Sequence, residues 1–187
     1  MACHPSRGIE STLGGKNGYN AKCRFDPETT VTPRTMSKTP IGNVVAIAVR
    51  TTTDGPMRQV AEAEASLGGG LMDDLPVDPD RGITFLAADQ WDEVTKELQR
   101  DLPWHTRRAN VLVDCATLVR LLGKSIRVGT VTVEIQGVTE PCGLMDRICP
   151  GLMNALTPDS RGGVHGKVVQ SGTIKVGDTV MVQEEDV

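Results

Sequence analysis

Between residues 125 and 182 the chain repeats one pattern, a short run rich in valine, isoleucine and threonine followed by a turn that contains glycine. Val131, Val133 and Ile135 alternate with polar residues, the period of a strand with one buried face. Gly129-Thr130 separates this run from residues 125–128, which is hairpin spacing. Residues 164–170, 173–176 and 179–182 read as three further strands, punctuated by Ser171-Gly172 and Gly177-Asp178. Short strands joined by tight turns bury their apolar faces best by closing into a β-barrel or sandwich. Aromatic residues are only 3% of the chain, so Val, Ile, Leu, Met and Ala must build that core. No internal repeat of about 20–50 residues redirects the chain toward a solenoid or propeller.

Upstream, residues 43–49 (NVVAIAV) and 82–87 (GITFLA) read as two more strands. Residues 57–66 are composed like a helix but alternate from Val60 to Ala65, so propensity and period disagree and both remain open. Gly68-Gly69-Gly70 forces a turn, and the acidic, proline-containing residues 73–81 extend it. Asp89 suits the N-cap of a helix running to about Gln99, with Trp91, Val94 and Leu98 on one face. Residues 116–122 read as a shorter helix closed by Gly123. After Cys142 the alternation stops, and residues 144–156, broken at Pro150-Gly151, read as two short helical turns. The expected fold is therefore mainly β and barrel-like, with a few short helices. Residues 1–35 have no sustained period and are expected to be a poorly ordered tail, leaving residues 36–187 as a single domain. Met36, at that boundary, is a candidate start of translation.

A chain of 187 residues has room for one ordinary core, and 39% hydrophobic with 24% charged residues is globular composition. A formal charge of −4 without a basic run gives no reason to expect nucleic acid or anionic lipid as a partner. No stretch approaches the roughly 18 apolar residues of a membrane span, and the first residues lack the apolar centre of a signal peptide, so a cytoplasmic protein is expected. The five cysteines, at 3, 23, 115, 142 and 149, have no regular spacing, which favours free thiols over a disulfide framework.

Of these thiols, Cys142 has the setting of a nucleophile. In Thr139-Glu140-Pro141-Cys142-Gly143 it lies between an alternating strand and a helical turn, where the rim of a barrel would present it. The plain alternative is a small buried hydrophobe. Cys149 is either a resolving thiol or a core residue, and the core suits it better, as it does Cys115. Arg161-Gly162-Gly163 ends a loop before a strand. Its arginine offers a charged fork and its glycines a close backbone approach, so it is a candidate anion site as well as an ordinary turn. His165 can face either the interior or solvent. Neither Cys-x-x-Cys nor a histidine cluster is present, and the glycines at 68–70 lack the lysine and hydroxyl of a phosphate loop.

The run TVTVEIQGVTEPCGLMDRICPGLMNAL followed by RGGVHGKVVQSGTIKVGD contains Pro-Cys after a strand, a helical Pro-Gly-Leu, Arg-Gly-Gly-Val-x-Gly and Gly-x-Ile-x-x-Gly-Asp. In that order these elements resemble the MOSC family, the domain found at the C-terminus of molybdenum-cofactor sulfurases. Gly70-Leu71-Met72-Asp73-Asp74, Arg81-Gly82-Ile83-Thr84 and residues 108–113 extend the resemblance upstream, so that it covers roughly residues 41–182. It departs at Asp73, where the family has a second glycine, and at Leu75, where a basic residue is frequent. The resemblance implies a β fold in which Cys142 carries sulfur as a persulfide or contacts molybdenum, with Arg161, Gly162 and Gly163 holding the phosphate of the molybdenum cofactor. It implies a cysteine desulfurase or a molybdenum-cofactor enzyme as partner, with pyridoxal phosphate supplied only by that partner. Its alternatives are a molybdenum-cofactor-binding reductase of N-hydroxylated compounds and a non-enzymatic binding module.

Overall fold

The first apolar run becomes β1 (Lys38–Arg50), the longest strand of this computed structural model, which describes residues 38–53, 55–75 and 78–183. The expected tail over residues 1–35 and the candidate start at Met36 lie outside those residues. The chain continues through β2 (Met57–Val60), β3 (Glu62–Ala65) and β4 (Ile83–Ala87), then α1 (Ala88–Leu98) and β5 (Val111–Val113). The hairpin β6 (Ser125–Val128) and β7 (Val131–Val138) leads to α2 (Gly143–Ile148) and α3 (Leu152–Leu156). Three strands finish it: β8 (Val164–Gln170), β9 (Gly172–Lys175) and β10 (Thr179–Gln183).

Strand neighbours run β10-β6-β7-β8-β4-β5-β1, and β1 pairs back onto β10, which closes a seven-stranded barrel. Closure leaves no open edge in the ring, and β2 extends the sheet from the far end of β1. One strand can serve three partners because it is bulged: Lys38–Asn43 pair with β10, Val44–Ile47 with β5 and Ile47–Arg50 with β2. β3 and β9 form a separate two-stranded ladder. In residues 57–66 the period therefore wins over helix propensity, because alternation is what a strand can bury.

β4 and β5 are parallel, so the chain must cross over between them, and α1 is that crossover. The pair is accordingly covered on both sides. Ile83, Phe85, Ala87, Val111 and Val113 point into the barrel, while Leu86 and Leu112 point out beneath the helices. Under that helical layer Trp91, Val94, Met145, Cys149, Leu152 and Leu156 form a second apolar cluster.

Two expectations need correction. α1 begins at Ala88, directly off the extended Ala87 and with no side-chain cap, so Asp89 sits in its first turn rather than at its N-cap. The expected helix at 116–122 is a single 3-10 turn, Val119–Leu121, because Leu118 and Leu121 plug the barrel interior and Gly123 turns the chain back into β6. The two turns after Cys142 and the C-terminal strands fall where the pattern put them. Among the described residues no helix is long and apolar enough to cross a membrane.

Candidate functional site

β7 ends at Val138, and Pro141 prevents the strand pairing from continuing through the bend that follows. Cys142 comes next, in extended conformation at the N-cap of α2, with its carbonyl accepting the Met145 N–H at 2.8 Å. Its thiol is exposed, whereas Cys115 and Cys149 are buried. Cys115 packs in the barrel interior, where burial pushes its thiol up to about 11. Cys149 closes the other end of α2. Seven residues at helical rise separate it from Cys142 by about 10 Å, beyond the roughly 7 Å that a disulfide can span, so Cys149 cannot resolve a Cys142 adduct while α2 stands.

The Cys142 thiol opens on a cavity of about 400 Å³ whose walls carry Arg50, Arg81, Arg107 and Arg108. Leu144 and Met145 supply an apolar side, and Thr84, Asn110, Thr139, Asp78 and Glu140 complete the lining. Each arginine is held differently. Arg50 is clasped by Asp74, with Nε 3.0 Å from Oδ1 and Nη2 2.5 Å from Oδ2, and the Asp74 carboxylate is only 2% exposed. Asn110 braces that carboxylate through Nδ2 at 2.9 Å and accepts the Thr84 hydroxyl at 2.8 Å, which ties β4 and the residue just before β5 to the cavity wall. Arg108 donates to the carbonyls of Gly55 and Thr53 at 2.7 and 2.9 Å.

Arg107 is the unusual member. It is 6% exposed, donates from Nη2 to the Thr139 carbonyl at 2.7 Å, and leaves its buried Nε without a partner. Burial pushes its guanidinium down to about 10, an effect that Cys142 opposes and Arg81 reinforces, so the three groups share one field. It remains a cation at neutral pH. Among the described residues neither Arg81 nor Arg107 enters an ion pair. Two unneutralised guanidiniums beside an exposed thiol form an environment for an anion that carries sulfur or a soft metal.

Arg161, Gly162 and Gly163, expected as an anion site, stand outside the lining of this cavity. Arg161 does not line the cavity. Its guanidinium lies 2.8 Å from Glu97 and 3.5 Å from Glu93, tying the loop before β8 to α1. Gly162 and Gly163 back the site from behind: a Cβ at 162 would stand 2.2 Å from the Thr139 carbonyl oxygen, and one at 163 would stand 2.1 Å from that of Phe85. With φ +87°, Gly163 also occupies the left-handed region that favours glycine. His165 is half-buried, its Nδ1 3.4 Å from the Thr139 hydroxyl.

The sequence pointed to Cys142, which lines this cavity, and did not point to the arginines around it. The available signal was position, since Arg81 and the Arg107-Arg108 doublet each stand just before an apolar strand of the barrel. A second depression, about 480 Å³, is lined by Glu62, Glu64, Asp73 and Lys175 and has no thiol. Its larger volume is no match for the chemistry beside Cys142.

The family model of the MOSC domain matches residues 72–181. No curated protein matches the chain. Among solved structures, the YuaD protein from Bacillus subtilis superposes with a TM-score of 0.67 at 14% identity, over 81% of this chain and 100% of that one. YiiM from Escherichia coli gives 0.62 at 14% identity, over 77% of this chain and 71% of that one. YiiM from Geobacillus stearothermophilus gives 0.54 at 18% identity, over 81% and 77%. At such identities the likeness is one of fold.

Proposed function

The chain belongs to the MOSC domain family, and from that premise we propose that it is a sulfur-transfer protein in which Cys142 carries sulfane sulfur beside a bound anionic acceptor. The observation that carries this reading is the exposed Cys142 thiol opening on a cavity lined by four arginines, one of them buried with an unpartnered Nε. A thiol that a second protein must reach has to be exposed, and the anion it becomes needs cations nearby.

The sulfur step needs only a donor persulfide, of the kind a pyridoxal-phosphate-dependent cysteine desulfurase forms. The Cys142 thiolate attacks the terminal sulfur of the donor, the donor S–S bond breaks, and the donor leaves as a thiolate while Cys142 becomes the persulfide. Arg81 and Arg107 then neutralise the charge on the new terminal sulfur, which is more acidic than a thiol.

The molybdenum cofactor fits the residues present as acceptor, because the unpartnered Arg107 Nε and Arg81, which makes no ion pair among the described residues, suit a phosphate and Cys142 suits a soft metal. When bound, it would supply a molybdenum centre able to take up sulfur or exchange oxygen atoms. A second reading, a molybdenum-cofactor-binding reductase with Cys142 as metal ligand, is favoured by a cavity roomier than a bare persulfide requires. A purely passive binding module would leave the exposed thiol and the unpaired cations without a use.

The test is intact mass after incubation with a cysteine desulfurase, pyridoxal phosphate and cysteine. Wild type is expected to gain about 32 Da, one sulfur on the thiol, and Cys142→Ser none. No gain in wild type, combined with molybdenum retained after expression in a cofactor-producing host, would transfer the assignment to the reductase.

A further inference from the structure

Thr139 connects the two groups on which the sulfur-transfer reading rests, so whatever fixes Thr139 fixes the site. Its peptide N–H donates to the Gly163 carbonyl at 2.8 Å, its own carbonyl receives Arg107 Nη2 at 2.7 Å, and Cys142 lies three residues on in the same bend. These bonds hold the backbone from two sides. The third side is the hydroxyl, which faces His165 Nδ1 at 3.4 Å. His165 can stand there because the β7–β8 ladder shifts register between Ile135 and Gly137 and pairs Gly137 with His165. A Cβ at 137 would come within 2.9 Å of the imidazole Cε1, so the ring occupies space that only glycine leaves open. Burial, and after it the charge of Arg81, hold the imidazole below the usual histidine value, which keeps it neutral and able to share a proton with a hydroxyl.

We propose that His165 is a positioning residue for the cationic site: seated over Gly137, it holds the Thr139 hydroxyl and thereby fixes the direction in which the Thr139 carbonyl presents the Arg107 guanidinium to Cys142. This inference rests on the reading of Cys142 and Arg107 as one working pair. It assigns to a strand residue outside the cavity lining a part in the charge that an incoming sulfur species meets. A histidine that merely filled space over Gly137 would contribute to stability and leave that charge unchanged.

The experiment compares alkylation of Cys142 by iodoacetate, an anion, with alkylation by neutral iodoacetamide, read at the Cys142 peptide by mass spectrometry. The ratio of the two rates reports the local field, and general loosening of the fold does not mimic it. Arg107→Met is expected to lower the ratio about threefold, the size of one unit charge removed from about 6 Å away in water. His165→Leu and Thr139→Val should fall most of the way to the Arg107→Met value, and His165→Gln, which keeps a polar atom over Gly137, should stay near wild type. Thr139→Val, nearly isosteric, carries the test if His165→Leu does not fold. Folded His165→Leu and Thr139→Val proteins that keep the wild-type ratio while Arg107→Met lowers it would overturn the positioning role alone. A ratio that Arg107→Met leaves unchanged would overturn the Arg107–Cys142 pairing as well, and with it the reading on which the role depends.

Discussion

At the scale of single residues, the site is built as much by missing side chains as by present ones. Gly162 leaves open the Thr139 carbonyl that Arg107 needs, since a Cβ there would stand 2.2 Å from that oxygen and 3.1 Å from Arg107 Nη2. Gly162→Ala must therefore displace backbone rather than a flexible side chain. It is expected to cost about 1–3 kcal/mol, measured as a lower denaturant midpoint in protein free of any ligand. A variant as stable as wild type that lost only ligand affinity would point instead to the anion-contacting role expected of Gly162 from the sequence. The same contrast explains what the sequence could disclose about the site. The position of Cys142 between a strand and a helix was legible because its neighbours mark a change of period, a local property. The ion pairs of Arg161 were not legible, because the carboxylates that meet it, Glu93 and Glu97, come from a helix 64 or more residues earlier. Arg107 was silent because its value lies in burial and an unpartnered Nε, which only the packing of the 3-10 turn Trp104–Arg107 against Thr139 creates.

At the scale of elements, α1 is the crossover that makes the parallel β4–β5 pair possible, yet its ends are poorly made. Its N-terminus lacks a side-chain cap, and Gln99, which caps its C-terminus after Leu98, takes the left-handed conformation, φ 51° and ψ 41°, with the Arg100 N–H closing on the Thr95 carbonyl at 3.1 Å. A glycine would hold that conformation without the Cβ clash. Gln99→Gly, at an exposed position, is expected to raise stability by about 0.5–1 kcal/mol, seen as a higher thermal midpoint with sulfur loading unchanged. Unchanged or lower stability would mean that the Gln99 side chain contributes more than the strain it carries. The strands show how far pattern alone reaches. β6 to β10 were legible because alternation and glycine turns coincide. β5 was not, because Val111, Leu112 and Val113 are all buried and a strand covered on both faces has no period to reveal. The 3-10 turn at Val119–Leu121 imitated a helix because plugging a barrel end also asks for leucines at spacing three.

For the molecule as a whole, two titratable groups at different places in the barrel, the half-buried His165 and the buried Cys115, bound the pH range in which the fold is most stable. His165 has a folded value lowered from 6.5, first by burial and then by Arg81, with Asp78 and the Val138 backbone opposing. Its unfolded form therefore binds the proton more readily, so the stability it contributes is complete above about pH 6.5 and is lost as pH falls through the folded value. Cys115 is the mirror case. Its folded value is raised from 9.0 to about 11, chiefly by burial, so the native state resists losing the proton that the unfolded chain gives up. Stability should then fall as pH rises through that interval, by about 2 kcal/mol from this thiol alone once pH reaches its folded value. A denaturant midpoint followed against pH should be flat between the two windows and decline on both sides. Cys115→Ala is expected to lower the plateau, through the lost packing in the barrel interior, while making the alkaline arm shallower. His165→Gln should flatten the acid arm and leave the alkaline one alone. An alkaline arm as steep in Cys115→Ala as in wild type would mean that Cys115 is not the group that titrates, and that the barrel interior admits enough water to hold its thiolate.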